Sequence, residues 1–177
     1  MHGGNGLAEA VLIAQELEKA GADAINVNLS WHEAPVPQIA MSVPRGAFTY
    51  TARAVKEAVN VPVIATGRSN DPILTDRLIE DGVTDFAGMG RALIADPELP
   101  NKARENRYDD IRPCIACGQG CFDVALFDRP VTCLGNAAVG REEECRIIKT
   151  ARPRKVIVVG GGPGGMEAAR VAALRGH

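Results

Sequence analysis

The chain has no long apolar run, no marked excess of charge of one sign and no secretion signal at its start. No stretch reaches the roughly 18 consecutive apolar residues of a membrane-spanning helix, so we expect no membrane span. Lys and Arg number 20 against 22 Asp and Glu, and the net charge of −2 predicts neither a nucleic acid nor an anionic membrane as partner. Residues 1–6 lack a basic region followed by an apolar core. These absences together favour a cytoplasmic protein.

The histidines are absent from the region in which the cysteines gather. Four of the five cysteines follow the spacing C-x2-C-x3-C-x11-C: Cys114, Cys117, Cys121 and Cys133. Without an export signal, such clustering favours metal ligation over disulfides. Structural zinc usually uses two separate pairs, whereas here three cysteines crowd together and the fourth stands apart, which favours a [4Fe–4S] cluster. Zinc and free thiols stay as alternatives, and Cys145 is interpreted as an ordinary small residue.

Residues 7–105 alternate predicted helices with short apolar strands. We predict helices over 7–20 and 47–58 and two more that open at Asp71-Pro72 and Asp96-Pro97, the last running to about residue 105, with strands over 24–29, 62–66 and 85–90. Such alternation indicates an α/β fold in which helical crossovers join parallel strands. Three strands do not close a barrel, so this pattern predicts the C-terminal part of a TIM barrel.

Residues with binding chemistry follow each of the three predicted strands. Since the carboxyl ends of parallel strands form the binding edge of such sheets, His32, Arg68 and the pair Gly90-Arg91 are candidate site residues. An arginine fork suits a phosphate, and Gly90 would let a backbone N–H approach an oxygen. His32 could donate to a carbonyl oxygen or relay a proton. Solvated arginines and a structural loop histidine are the alternatives.

A glycine motif follows the last apolar run of the chain. Residues 156–159 are predicted to form a buried strand, and Gly160-x-Gly162-x-x-Gly165 leads from it into a helix over 166–175. This context is typical of a turn that binds a dinucleotide pyrophosphate at a helix N-terminus. A glycine-rich turn without a ligand is the alternative, and the chain ends before the acidic residue that would contact a ribose.

These motifs together resemble the iron–sulfur flavoenzymes of the old yellow enzyme superfamily, which include 2,4-dienoyl-CoA reductase, enoate reductase and trimethylamine dehydrogenase. The resemblance covers essentially the whole chain. The segments that carry it are residues 31–34, 43–48, 91–97, 114–117 and 159–165.

The resemblance implies a barrel that binds FMN, a following [4Fe–4S] cluster, and a second domain that binds FAD and NAD(P)H. It assigns Arg68, Gly90 and Arg91 to FMN, and His32 to the carbonyl side of the substrate. It assigns the cluster to the four clustered cysteines, and FAD to Gly160, Gly162 and Gly165. Hydride would enter from NAD(P)H at FAD, and the cluster would pass single electrons to FMN.

Two differences from the family pattern narrow the expected substrate. Dienoyl-CoA reductases read Trp-His-Glu-Ala-Arg, whereas Pro35 follows Ala34 here, which weakens the inference to a dienoyl thioester. Trimethylamine dehydrogenase lacks the Trp-His-Glu loop, so a role like that of enoate reductase fits best. The expected substrate is a small unsaturated carbonyl compound.

The chain is expected to consist of three segments. Residues 1–108 are predicted to be part of an FMN-binding barrel, 109–150 the cluster segment and linker, and 151–177 the start of a Rossmann-like FAD/NAD(P)-binding domain. The chain is expected to be inactive alone and to work with the rest of an ene reductase or as a homo-oligomer. The alternative from another class is a non-catalytic scaffold module held by zinc, and a stand-alone NAD-binding protein is disfavoured by the late position of the glycine motif.

Overall fold

A computed structural model describes residues 4–29 and 34–177, and it divides into two compact units, Met1–Val139 and Gly140–His177. We call them the N-terminal unit and the C-terminal unit. Within the described residues, no helix is both long enough and apolar enough to cross a membrane.

The N-terminal unit is built on a three-stranded parallel sheet in the order β1-β2-β3, as the alternating pattern predicted. The strands are β1 (Ile25–Val27), β2 (Val63–Ala65) and β3 (Phe86–Ala87). In register, Ile25 lies opposite Val63, and Ile64 lies opposite Phe86. The helices that precede and connect them are α1 (Leu7–Lys19), α2 (Thr49–Lys56) and α3 (Pro72–Glu80).

The core of this unit lies where α1 and α2 pack on β1 and β2. It consists of buried aliphatic side chains: Ala14, Ile25, Ala52, Val55, Val63 and Ala65. Small side chains on the helices let them approach the sheet closely, while the branched residues of the strands fill the remaining space.

Two polar side chains just before β3 tie it to β2. The buried Thr84 hydroxyl accepts from the Ala65 N–H at 3.0 Å and donates to the Val63 carbonyl at 2.7 Å. The Asp85 carboxylate accepts from the Val63 N–H at 2.8 Å and from Lys56 Nζ of α2 at 2.7 Å. The hydrogen bond from Lys56 holds the pKa of Asp85 below its usual value. These bonds fix the register of β3 against β2 and therefore the relative positions of the carboxyl ends of the two strands.

The start of α3 agrees with the prediction from Asp71-Pro72. The Asp71 side chain accepts from the N–H groups of Ile73 and Leu74, and Pro72 is the first helical residue. A cap of this kind depends only on neighbouring residues, so the local sequence specifies it.

The helix predicted to open at Asp96-Pro97 and to end near residue 105 is present but begins only at Leu99, and a short helix before it was not predicted. The structure has two short helices, α4 (Arg91–Ala95) and α5 (Leu99–Arg104). Asp96 between them is extended, because proline disfavours a helical conformation in the residue before it. A 3-10 turn (Tyr108–Asp110) and the single-turn α6 (Phe122–Ala125) complete this unit.

The C-terminal unit contains α7 (Pro163–Arg175), which begins three residues earlier than predicted. Residues 156–159 form no strand, and Ile157 and Val159 are 80% and 95% exposed. The prediction of a buried strand there was wrong for this structure, since a strand needs a neighbour for its hydrogen bonds and residues 140–177 contain no other strand. The Rossmann-like assignment of this segment therefore stays a prediction.

Candidate functional site

A cavity of about 470 Å³ lies at the carboxyl ends of the three parallel strands, where the sequence predicted the binding edge. Its walls come from β1 and the loop beyond it, from the loops after β2 and β3, and from the cysteine segment. The residues that supply them include Asn26, Gln38, residues 66–70, residues 88–92, Cys114 and Ala116.

Arg68 occupies the loop after β2 in an unusual backbone conformation. Its φ of 58° is in the left-handed region, which is uncommon for a residue other than glycine. The side chain is held by a hydrogen bond from Nε to the Val43 carbonyl at 3.0 Å. Burial, together with the positive charges of Arg91 and Arg45, lowers the pKa of the Arg68 guanidinium. Arg45 is paired with Asp71 at 2.8 Å, whereas Arg68 and Arg91 both line the cavity, and these two cations make this side of it suited to an anion.

Gly90 and Arg91 follow β3 and also line the cavity. A Cβ added at Gly90 would meet no described atom within 4 Å, so the glycine leaves open space there. Arg91 donates from Nη1 to the Ile39 carbonyl at 2.8 Å, which joins the loops after β1 and β3. The structure thus brings the predicted residues Arg68, Gly90 and Arg91 together around one cavity.

Three buried polar atoms beside this cavity have no hydrogen-bond partner among the described residues: Gln38 Oε1, Ser69 Oγ and Asn70 Oδ1. Ser69 and Asn70 are only 6% and 8% exposed. A buried polar atom without a partner costs free energy, so several of them around one cavity indicate a polar ligand. An anion-binding edge and a row of unpaired polar atoms fit the phosphate and hydroxyl groups of FMN.

The four clustered cysteines surround a second and smaller cavity of about 50 Å³. The chain turns sharply there: Ala116 and Gly118 both have positive φ, 55° and 74°. A Cβ at Gly120 would lie 2.7 Å from the Thr132 carbonyl oxygen, so only glycine fits where the segment of Cys133 passes. These turns direct three closely spaced cysteines and one distant cysteine to the same place.

Burial raises the pKa of the Cys121 thiol, an effect that the positive charge of Arg91 reduces. A thiolate in such surroundings needs a cation, as a bound metal centre provides. Within residues 4–29 and 34–177, no group of three or more His, Cys, Asp or Glu side chains has an arrangement that could hold a metal ion. A single zinc requires four donors around one point, whereas in a [4Fe–4S] cluster each thiolate can bind a different iron. Four cysteines around one cavity are a donor set that either centre can use, so the choice of the cluster over zinc stays a prediction.

Arg91 and Cys114 belong to the walls of both cavities. The backbone of the cysteine segment is also fixed to the larger cavity, because Asn70 Nδ2 donates to the Cys114 carbonyl at 2.6 Å. The two cavities are therefore neighbours that share a wall.

Asp96 anchors the start of the cysteine segment. The residue is 2% exposed, and its Oδ2 accepts from Lys102 Nζ at 2.6 Å and from the Arg112 N–H at 2.8 Å. Burial alone would raise the pKa of this carboxyl, but the hydrogen bonds from Arg112 and Lys102 outweigh it and the pKa is lowered. Sequence reasoning assigned Asp96 only to a helix start, since nothing local indicates a contact with Arg112.

The remaining predicted site residues are His32 and the three glycines of the motif Gly160-x-Gly162-x-x-Gly165. His32 is outside the described residues. In the C-terminal unit, Gly160 has a φ of 107° and Gly162 caps α7. A Cβ at Gly165 would collide with the Gly160 carbonyl oxygen, so the motif forms the tight turn that the sequence predicted.

Comparison with known proteins gives the family of the chain. A family model described as the NADH:flavin oxidoreductase / NADH oxidase family matches residues 2–110. The chain belongs to this family, which confirms the resemblance drawn from the motifs. It is a partial segment of a TIM-barrel flavoenzyme fold.

Several curated relatives match nearly the whole chain. A metal reductase of Desulforamulus reducens is 51% identical over 177 residues, which are 100% of this chain and 26% of the relative. A cinnamate reductase of Clostridium sporogenes is 41% identical over 98% of this chain and 26% of its own length. An NADH oxidase of Thermoanaerobacter brockii is 42% identical over 100% of this chain and 28% of its own length. The chain thus spans about a quarter of the length of these relatives.

A solved structure agrees with the same assignment. A 2-naphthoyl-CoA reductase in complex with 2-naphthoyl-CoA superposes with a TM-score of 0.94 at 38% identity, over 100% of this chain and 27% of that one.

Replacement of Asp96 tests the anchor of the cysteine segment. Asp96→Asn should lower the free energy of unfolding by about 3 kcal/mol at pH 7, because Lys102 and the Arg112 N–H would lose a buried charged acceptor. Since the folded-state pKa of Asp96 is depressed, its stabilisation is present above the unfolded value of about 3.9 and is lost as pH falls through the folded pKa. Urea denaturation at pH 7 and pH 3 should show a smaller loss on acidification in the variant than in the wild type.

Asp110→Asn is the matched control, because its carboxylate pairs with Arg107 on the surface. It should change the stability far less than Asp96→Asn at either pH. Equal stability of Asp96→Asn and the wild type at pH 7 would contradict the anchoring role.

Proposed function

We propose that the chain is part of an NAD(P)H-dependent flavin and iron–sulfur oxidoreductase that reduces an activated C=C bond of an enoate or of an enoyl or dienoyl thioester. The observation that carries this proposal is the shared wall between a polar, cationic cavity and a four-cysteine cavity. Two redox groups placed there would be close enough for electron transfer. The similarity to a cinnamate reductase and to a 2-naphthoyl-CoA reductase supports the substrate class.

The larger cavity is the proposed site of FMN, which when bound supplies hydride and single-electron chemistry. Arg68 and Arg91 would hold its phosphate through charge-assisted hydrogen bonds. Gly90 leaves room for the close approach of an oxygen, and the buried Ser69 and Asn70 offer hydrogen bonds to its polar groups.

The smaller cavity is the proposed site of a [4Fe–4S] cluster, which when bound transfers electrons one at a time. Cys114, Cys117, Cys121 and Cys133 would be its ligands. The Ala116 N–H donates to Cys114 Sγ at 3.4 Å, and such bonds to ligand sulfurs stabilise the added negative charge of a reduced cluster.

Two further roles rest on motifs alone. Gly160, Gly162 and Gly165 would form the start of an FAD site, where the turn brings backbone N–H groups to a pyrophosphate. His32 would donate a hydrogen bond or a proton at the carbonyl side of the substrate. The protein would act within a longer enzyme, and the chain alone would be inactive.

Reduction of metal ions is a second candidate function. It is favoured by the 51% identity with the metal reductase over the whole chain. This reaction would use the same two redox groups but would need no proton donor at the acceptor. The two functions therefore differ in their dependence on His32.

Acceptor assays on the complete enzyme distinguish these functions. With NADH or NADPH under anaerobic conditions, we expect turnover with a cinnamate-type enoate or an unsaturated acyl thioester. His32→Ala should lower kcat with this acceptor by about 100-fold, the usual contribution of a positioned proton donor. The same variant should leave the rate with a ferric chelate unchanged. Turnover with the ferric chelate and none with any C=C acceptor would favour metal reduction.

Removal of one cysteine tests the cluster against the zinc scaffold. We expect anaerobically purified wild-type protein to contain about four irons and four sulfides per chain. Cys117→Ser should lose iron, sulfide and the broad visible absorbance. Cys145→Ser should keep all three, because Cys145 is exposed and lies outside the cysteine cavity. One zinc per chain without colour would support the scaffold instead.

A further inference from the structure

Asn70 joins the wall of the larger cavity to the cysteine segment through the nitrogen of its amide. It is the last residue of the loop after β2, directly before the cap of α3, and it lines the larger cavity. Its Nδ2 donates to the Cys114 carbonyl, 44 residues away in sequence, at 2.6 Å. The side chain therefore connects the cavity assigned to FMN with the first cysteine of the cysteine cavity.

The chemistry of this hydrogen bond fixes the orientation of the amide. A backbone carbonyl can only accept, so the nitrogen of Asn70 must face Cys114 and the oxygen must face away. That oxygen is buried and has no partner among the residues described by the structure. Because an unpaired buried acceptor is unfavourable, Oδ1 needs a donor, and the cavity that Asn70 lines is where a donor can be placed.

The neighbouring residues indicate which donor fits. Arg68 supplies a cation and Ser69 a buried hydroxyl without a described partner, so residues 68–70 offer a cation, a hydroxyl and an acceptor in succession. A ligand that complements this row carries an anionic group and hydrogen-bond donors on the same side. FMN has such a pattern, since hydroxyl groups adjoin its phosphate.

A second buried asparagine, Asn136, has the hydrogen bonds expected of a purely structural residue. Asn136 is 5% exposed, and its Nδ2 donates to the Ile94 carbonyl at 2.9 Å. Its Oδ1 accepts from the Ala138 N–H at 3.2 Å, so both ends of this amide are paired within the protein. Asn70 makes the same kind of bond to a distant carbonyl, but its oxygen has no partner among the described residues.

We propose that Asn70 is a positioning residue that couples flavin binding to the geometry of the cysteine cavity. A flavin hydroxyl donates to Asn70 Oδ1 and restrains the amide, whose Nδ2 then holds the Cys114 carbonyl in place. Cys114 lines both cavities, so this restraint reaches a predicted cluster ligand. The inference rests on the proposed function for its choice of ligand.

Hydrogen exchange on the complete enzyme, stripped of flavin and then titrated with FMN, tests this coupling. FMN should slow amide exchange in residues 114–117 of the wild type and of Asn136→Ala. In Asn70→Ala the Kd for FMN should rise by about 2- to 10-fold, as for one lost hydrogen bond. At saturating FMN the same variant should show no slowing in residues 114–117. If Asn70 had only a structural role, Asn70→Ala and Asn136→Ala would both be less stable than the wild type. FMN would then still slow exchange in residues 114–117 of both variants.

Asn70→Asp separates the two ends of the amide and serves if Asn70→Ala fails to fold. It keeps an acceptor oxygen but cannot donate to Cys114, so flavin should bind while the slowing of exchange disappears. Riboflavin, which lacks the phosphate, is titrated alongside FMN. Weaker binding of FMN but not of riboflavin would show repulsion between the new carboxylate and the phosphate. If FMN slowed exchange in either Asn70 variant as much as in the wild type, the proposed coupling would be overturned. It would also be overturned if FMN bound to the wild type without slowing exchange. Failure of the wild type to bind FMN would instead contradict the proposed function.

Discussion

Strand β2 runs between β1 and β3 in the same direction, and Val63 and Ala65 within it are almost completely buried. Parallel pairing places the carboxyl ends of all three strands at one edge, and Thr84 and Asp85 fix β3 to β2 in register. Every residue of the larger cavity that follows a strand depends on this arrangement. A shift of one strand by one residue would turn its side chains to the opposite face.

The charges and unpaired polar atoms at this edge have a free-energy cost that the rest of the fold must offset. Arg68 and Arg91 both line the cavity, and Arg68 adopts a left-handed backbone conformation while its side chain is held by a hydrogen bond to the Val43 carbonyl. Such features persist where the surrounding structure supports them and where a ligand compensates for them. An anionic cofactor with several hydroxyl groups would neutralise the cations and pair the buried oxygens at once. Asn70 at this edge and Asp96 after α4 both form hydrogen bonds to the backbone of the cysteine segment.

The sequence predicted the features that depend on neighbouring residues. The parallel strands, the cap at Asp71 and the tight turn at Gly160 follow from local patterns of apolar, capping and glycine residues. It also predicted that Arg68 and Arg91 would meet, because strand ends in a parallel sheet share an edge. Family membership followed from motifs whose combination is specific.

Contacts between distant segments were not predictable from the sequence. The bond from Asn70 to Cys114 and the bond from Arg112 to Asp96 join segments whose approach depends on the packed sheet. The local sequence predicts Asn70 only as a loop residue and Asp96 only as a helix cap. The error at residues 156–159 has the opposite origin: the apolar run favours a strand, but a strand also requires a partner. Asp96 is extended, as both a capping residue and a residue before proline should be, and its Oδ1 accepts from the Glu98 N–H at 3.1 Å, so the predicted start is supported although the helix itself begins only at Leu99.

If two redox groups occupy the adjacent cavities, both should be present in one preparation, and their stoichiometry is the most direct test. FMN, FAD, iron, sulfide and zinc should be quantified together in the complete enzyme, purified without exposure to oxygen. We expect one FMN with about four irons and four sulfides per polypeptide, and no zinc. One zinc per polypeptide with neither FMN nor iron would contradict the account and would favour a scaffold held by zinc.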